Sequence, residues 1–216
     1  MTGSLLWGLL TVLFVATPLQ AQDPATIAGR ASRLYRSLAS LRADFHQVIE
    51  DRMIGTQESR GELVQAGEAR LSMRFSDPKG DMIVLDGTHV WVYVPSTTPG
   101  QVIRMNLQHD PVYGPNVLAR ILDRPAERYQ LEWIATETIG NLVTDAVAFT
   151  PNVADPLFRK ATIWFDRDQG LPRRLQLDEL TGVRRTLDLS RIRLNTPIDD
   201  RTFRFDVPSG VRVVIQ

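Results

Sequence analysis

The chain has 216 residues, 43% of them hydrophobic and 23% charged, with 25 basic side chains against 25 acidic ones. This is the size of one large globular domain or two small ones, and the composition excludes disordered and collagen-like chains. The neutral balance offers no long-range attraction to phosphate or to an anionic membrane, which argues against nucleic acid as a partner. The lack of cysteine removes disulfides, zinc thiolates, iron–sulfur clusters and thiol nucleophiles together.

Leu5 to Val15 is apolar apart from Gly8 and Thr11, and no charged residue precedes Asp23. The run is too short to span a bilayer, and Pro18 and Leu19-Gln20-Ala21 follow it. It reads as a secretory signal peptide, residues 1–21, with the terminal amine as its only positive end; an uncleaved anchor is the alternative. Residues 22–216 then form a single domain exported from the cytoplasm, with no further membrane-length apolar run.

Asp23 and Pro24 open a helix as N-cap and first helical residue. Ile27, Leu34, Leu38, Leu41 and Phe45 recur at helical spacing, which predicts an amphipathic helix of about five or six turns. From Phe45 the period shifts towards two. Strands are predicted at 62–66, 69–76, 82–85, 90–94 and 102–107, with turns at Asp77-Pro78-Lys79-Gly80 and Asp86-Gly87. Pro115, Val117, Leu118, Ile121 and Leu122 mark a short helix limited by Pro125. Further strands follow around Tyr129–Trp133, Val143–Phe149, 160–166 and 173–180. Leu187 and Leu189 share one parity while Ile192 and Leu194 take the other, which predicts a β-bulge near Ser190. Phe203, Phe205 and Val207 open a last stretch that ends with 211–215. The expected fold is α+β: a single-domain, unclosed antiparallel β-barrel of about ten or eleven strands, with helices as a lid over an apolar cavity.

Catalytic and metal motifs are sparse. His46, His89 and His109 are far apart, and none belongs to an H-E-x-x-H helix. Ser76-Asp77-Pro78-Lys79 matches S-x-x-K only as a string, because that motif needs a helix and a Pro/Gly turn stands there. Asp166-Arg167-Asp168-Gln169-Gly170 resembles the start of a calcium loop, yet Leu177 occupies the twelfth position where a glutamate is required. Asp178-Glu179 and Asp199-Asp200 are adjacent, so on a strand each pair splits between two faces and cannot share acid–base work. The chain is read as no enzyme, with no cofactor and no metal.

Apolar surface is in surplus instead. Trp91 and Tyr93 alternate with Val90, Val92 and Val94, so this strand must be covered on both faces. Met73, Met82 and Met105 lie on strands beside them, and methionine suits irregular apolar walls as well as core gaps. The wall of a ligand cavity is assigned to Leu71, Met73, Phe75, Trp91, Tyr93, Met105, Trp133 and Trp164, although either parity around Trp91 could face inward. Leu34, Leu38, Leu118, Ile121 and Leu122 are assigned to the lid.

Phe45-His46-Gln47 at the helix end, Gly61-Glu62-Leu63, Asp77-Pro78, D-G-x-x-x-W-x-Y-x-P at residues 86–95, Pro115-Asn116-Val117-Leu118 and F-x-F-x-x-P-x-G-V at residues 203–211 occur in this order over nearly the whole mature chain. Together they resemble the periplasmic outer-membrane lipoprotein carrier family of the LolA type. The resemblance implies an unclosed barrel capped by helices, an apolar cavity for lipoprotein acyl chains, and a monomeric chaperone in the periplasm. Its expected partners are lipidated proteins, an inner-membrane release complex and an outer-membrane acceptor. Proteobacterial members carry an Arg-Pro dipeptide after the G-x-L strand whose arginine latches the lid; here Gly67-Glu68 stands there, and Arg70 is the nearest arginine. A different lipid- or glycolipid-binding module on this fold, an envelope sensor, and a secreted scaffold or adaptor with a filled core are the alternatives.

Each acyl CH₂ kept from water is worth ~0.8 kcal/mol, so one chain of about 16 carbons demands on the order of 12 kcal/mol of shelter. The empty carrier must also hide its pocket. A lid formed by residues 24–43 and 115–123 meets both demands by closing when empty and swinging out with cargo.

Overall fold

The computed structural model describes residues 23–67, 69–107 and 116–216. The signal peptide read over residues 1–21, His109 and the helix start at Pro115 lie outside the described residues. Helix α1 (Pro24–Ser37) begins as expected, with the Asp23 carboxylate accepting hydrogen bonds from the Ala25 and Thr26 amides. It ends sooner than the apolar spacing suggests. Leu38 is extended, and Leu41 and Phe45 belong to strand β1 (Leu41–Asp51). Leu38, Leu41 and Phe45 fit a helical period, while Leu41, Ala43 and Phe45 fit a strand period equally well, and sheet pairing decides between them. The buried face of α1 is made of Ile27, Ala28, Ala31, Ser32 and Tyr35, mostly small residues that let the helix lie close.

Strands β2 (Gly55–Ala66), β3 (Arg70–Asp77), β4 (Lys79–Asp86), β5 (His89–Tyr93) and β6 (Gln101–Asn106) follow as a meander. Helices α2 (Val117–Leu122) and α3 (Pro125–Arg128) then lead to β7 (Tyr129–Ile139), β8 (Leu142–Pro151), β9 (Phe158–Asp166), β10 (Pro172–Glu179) and β11 (Arg184–Leu194). A 3-10 turn (Asp200–Phe203) precedes the last strand, β12 (Arg212–Ile215). Among the described residues these make one 12-stranded unclosed sheet in the order β12-β6-β5-β4-β3-β2-β1-β11-β10-β9-β8-β7. It is longer than the ten or eleven strands expected, because 41–51 pairs as a strand. All pairings are antiparallel except β12 with β6. Phe203 and Phe205 are not in a strand: the chain crosses the sheet surface there before β12 joins the edge. The bulge expected near Ser190 is present, since the β1–β11 register shifts between the pairs Arg42–Arg193 and Asp44–Ser190.

One face of the sheet carries the main core. Leu41, Ala43 and Phe45 of β1, Leu63 of β2, Leu71 and Met73 of β3, Val147 and Phe149 of β8, and Leu187 and Leu189 of β11 are all buried there with α1 and α2. Gly61 lies between Phe45 and Phe75 in the strand register, and those rings meet edge-on at 5.0 Å. A Cβ at Gly61 would fall 2.1 Å from the Arg74 carbonyl oxygen and 2.8 Å from the Phe45 ring, so the sheet curls closely only with glycine there. The opposite, outer face holds a smaller cluster of Val64, Ala66 and Phe203.

Candidate functional site: an apolar cavity with one polar end

The inner face is filled unevenly. Towards the end where α1 meets β1, the side chains of α1 occupy it, with Arg30 reaching the β9–β10 turn. Towards the end that carries the β1–β2, β8–β9 and β10–β11 turns it is hollow. The hollow has a volume of about 270 Å³ and is lined by Met73, Ile83, Val92, Val117, Leu157, Leu175, Leu177 and Leu187, with Gln47, Glu179 and Arg185. Met73, Ile83 and Val92 come from β3, β4 and β5, while Leu175 and Leu187 come from β10 and β11, so the curl of the sheet brings its two wings to opposite walls. The volume sits at the foot of the ~300–1,000 Å³ range of ligand pockets.

The polar residues of the lining lie together. Arg185 donates from Nε to Glu179 Oε1 at 2.9 Å and from Nη1 to Gln47 Oε1 at 3.2 Å. Gln47 in turn donates from Nε2 to Ser59 Oγ at 3.2 Å. Sequence reading misses this group, because isolated polar residues on a strand look like a solvated face, and Glu179 reads only as half of an unusable carboxylate pair. Its neighbour Asp178 does point away, binding Arg184 at 3.0 Å.

Of the assigned wall residues, Met73 lines the hollow itself. Leu71 is buried in the core on the same face, and Phe75, Met105 and Trp133 pack against that core. Trp91, Tyr93 and Trp164 belong to the other parity and are corrected to the outer face. On β5 it is Val90 and Val92 that face inward, opposite Met105 and Ile103 of β6. Trp91 stacks on Phe205 with centroids 5.4 Å apart, donates from Nε1 to Asp86 at 2.8 Å, and lies under the Arg104 guanidinium. Tyr93 also meets Phe205, at 5.6 Å. The chain after the 3-10 turn is thus the cover that the outer side of β5 required. Trp164 donates from Nε1 to Glu137 at 3.1 Å beneath the Arg174 guanidinium, opposite Arg174 in the β9–β10 register. The two tryptophans have hydrogen-bonded aromatic tips, and all three rings are placed away from the cavity.

Among the lid residues, Leu118, Ile121 and Leu122 are sealed in the core, Leu38 packs against it and Leu34 is half-buried. Val117, which the sequence leaves unassigned, is the residue through which α2 reaches the hollow. Three polar links fasten the helices. Arg120 of α2 is paired with Asp155 in the β8–β9 loop, whose other oxygen accepts from the Leu157 amide at 2.8 Å. Val117 and Leu157 both line the hollow, so this pair clasps α2 across it. Tyr35 of α1 donates its hydroxyl to Gln65 of β2, and Arg30 donates to the Arg167 carbonyl at 2.9 Å. Arg70, by contrast, is on the outer face, bound to Asp200 at 2.6 Å with its guanidinium 5.2 Å from the Phe203 ring centroid. It does not reach α1, and so it cannot replace a latch arginine.

His46 pairs with Glu58 at 3.0 Å on the sheet surface, and His89 sits beside Asp86. Asp166 closes the β9–β10 turn by accepting from the Gln169 amide at 2.6 Å and from Arg173, the job of a hairpin turn.

An unclosed barrel with an apolar hollow under a helical cover is the class that these features define. The chain belongs to the LolA family: the family model described as outer membrane lipoprotein carrier protein LolA matches residues 36–206. Members of this family are carrier proteins rather than enzymes. A relative from Alcanivorax borkumensis named outer-membrane lipoprotein carrier protein is 31% identical over 184 residues, 84% of each chain. One of the same name from Chromohalobacter salexigens is 26% identical over 211 residues, 96% of each chain. In fold, the chain is similar to an uncharacterized conserved protein from Thermus thermophilus, with a TM-score of 0.55 at 12% identity, covering 88% of this chain and 98% of that one.

Proposed function

We propose that the protein is a periplasmic carrier that shelters the acyl chains of lipidated proteins in the hollow between its sheet wings and moves them between the inner and outer membranes. The observation that carries this reading is the one-sided distribution of the lining. Aliphatic walls from β3–β5 and β10–β11 enclose a hollow whose charged groups among the described residues, Glu179 and Arg185, stand together. A hydrocarbon tail fits such a wall by area alone, at ~0.8 kcal/mol per CH₂. The hollow is small for a long tail, so loading requires α2 to move outward, which the Arg120–Asp155 clasp restrains in the closed form. Met53, at 93% exposure, Ile54 and Leu180 stand at the turns of the same end, where a tail would enter with apolar neighbours rather than bare water. A membrane complex that releases cargo and an acceptor that receives it are the partners this role calls for.

The test is titration of the purified protein with a peptide carrying a fluorescent acyl chain. A saturable signal is expected, and Val92→Trp, which places an indole in the hollow, is expected to weaken it at least ten-fold with an unchanged circular dichroism spectrum. A wild-type protein that gives no signal overturns the carrier reading and favours a scaffold with a filled core.

A further inference from the structure

We infer that the polar end of the cavity selects tails joined through an ester or amide over free fatty acids, with Arg185 as the residue that receives the ester or amide carbonyl. This deepens the carrier reading and rests on it. A guanidinium has five N–H donors. Arg185 spends Nε on Glu179 and one Nη1 hydrogen on Gln47, leaving three donors beside the aliphatic lining. An apolar tail lying along Met73, Leu175 and Leu187 therefore finds, among the described residues of the lining, a source of N–H groups at one end for its first oxygen atoms, and this fixes which way round it lies.

The pairing decides which oxygen atoms suit. An unpaired arginine in an apolar pocket would attract a carboxylate strongly, through a charge-assisted and often bidentate bond. Here Glu179 already neutralises Arg185 at 2.9 Å, and among the described residues no other charged side chain lines the hollow. A fatty-acid carboxylate would bring a second anion next to Glu179, and like charges that close disfavour one another. An ester or amide carbonyl accepts the same N–H groups and brings no charge. The arrangement is thus a donor of neutral polarity, held in place from three adjacent strands, β1, β11 and β10.

The experiment is competition against the fluorescent acyl peptide at pH 8, where a fatty acid is ionised, using palmitic acid and an N-palmitoyl peptide amide. The wild-type protein is expected to bind the palmitoyl amide at least ten-fold more tightly than the acid. Glu179→Gln, which leaves the arginine uncompensated, is expected to raise affinity for the acid ten-fold or more and to change that for the amide less than three-fold. Arg185→Met is expected to weaken the amide about ten-fold, its folding checked by circular dichroism. Equal binding of acid and amide by the wild-type protein, or a Glu179→Gln protein with unaltered preference, overturns the inference while tail binding itself upholds the carrier reading. Failure of every tail to bind overturns both.

Discussion

Asp145 shows how a single side chain ties the fold to solution conditions. It is 2% exposed and accepts from Arg167 at 2.9 and 2.8 Å, from Thr136 at 2.8 Å and from Trp133. Burial pushes its carboxyl up, but the bonds from Arg167, Thr136 and Trp133 outweigh this and hold it below the ordinary value of 3.8. The folded state therefore binds this proton less readily than the unfolded chain, so its stabilisation is complete above about pH 4 and is lost as pH falls through the depressed value. Asp145→Asn is expected to cost roughly 2–3 kcal/mol at neutral pH and to flatten the acid limb of a urea-unfolding series between pH 2 and 6. An acid limb as steep as that of the wild-type protein would contradict this. The same residue scale is where sequence reading reaches least far. Alternation marks two faces of a strand and does not say which is inner, so Trp91, Tyr93 and Trp164 are drawn inward by their size. What places them outward is remote in sequence: Phe205 for the first two and the Glu137 carboxylate for the third.

At the scale of elements, most of the strands are legible because apolar residues alternate and glycine or proline punctuates the turns. Gly87, with φ of 100°, turns the β4–β5 hairpin as Asp86-Gly87 predicts, and Asp86 accepts from the Thr88 and His89 amides. The end of α1 is not legible, since Leu38, Leu41 and Phe45 satisfy two periods at once. The clasp between α2 and the β8–β9 loop is hidden as well, because nothing local links Arg120 to Asp155. Removing it by Asp155→Asn is expected to weaken the closed position of α2 by about 2 kcal/mol. Hydrogen exchange of 117–122 should then quicken, and the acyl peptide should bind with a higher association rate. Unchanged exchange in this segment would show that α2 is held by its buried Leu118, Ile121 and Leu122 alone.

For the whole molecule, the unclosed sheet is legible from the number and spacing of strands, and the family resemblance supplies its curl and helical cover. The place of the hollow is not legible. It arises because α1 fills one end of the inner face and stops short of the other, where α2 covers the hollow through Val117, and because β3–β5 and β10–β11, remote in sequence, are turned to face each other. The C-terminal segment is the other long-range feature: it covers Trp91 and then adds β12 to the edge in parallel. A peptide whose acyl chain carries a photoreactive diazirine at its far end, irradiated in complex with the protein and mapped by mass spectrometry, tests the central claim most directly. Labels are expected on inner-face residues such as Met73, Ile83, Val92, Leu175 and Leu187. Labels confined to the outer face around Trp91 and Phe205, or scattered over exposed loops, would contradict a hollow that carries the tail.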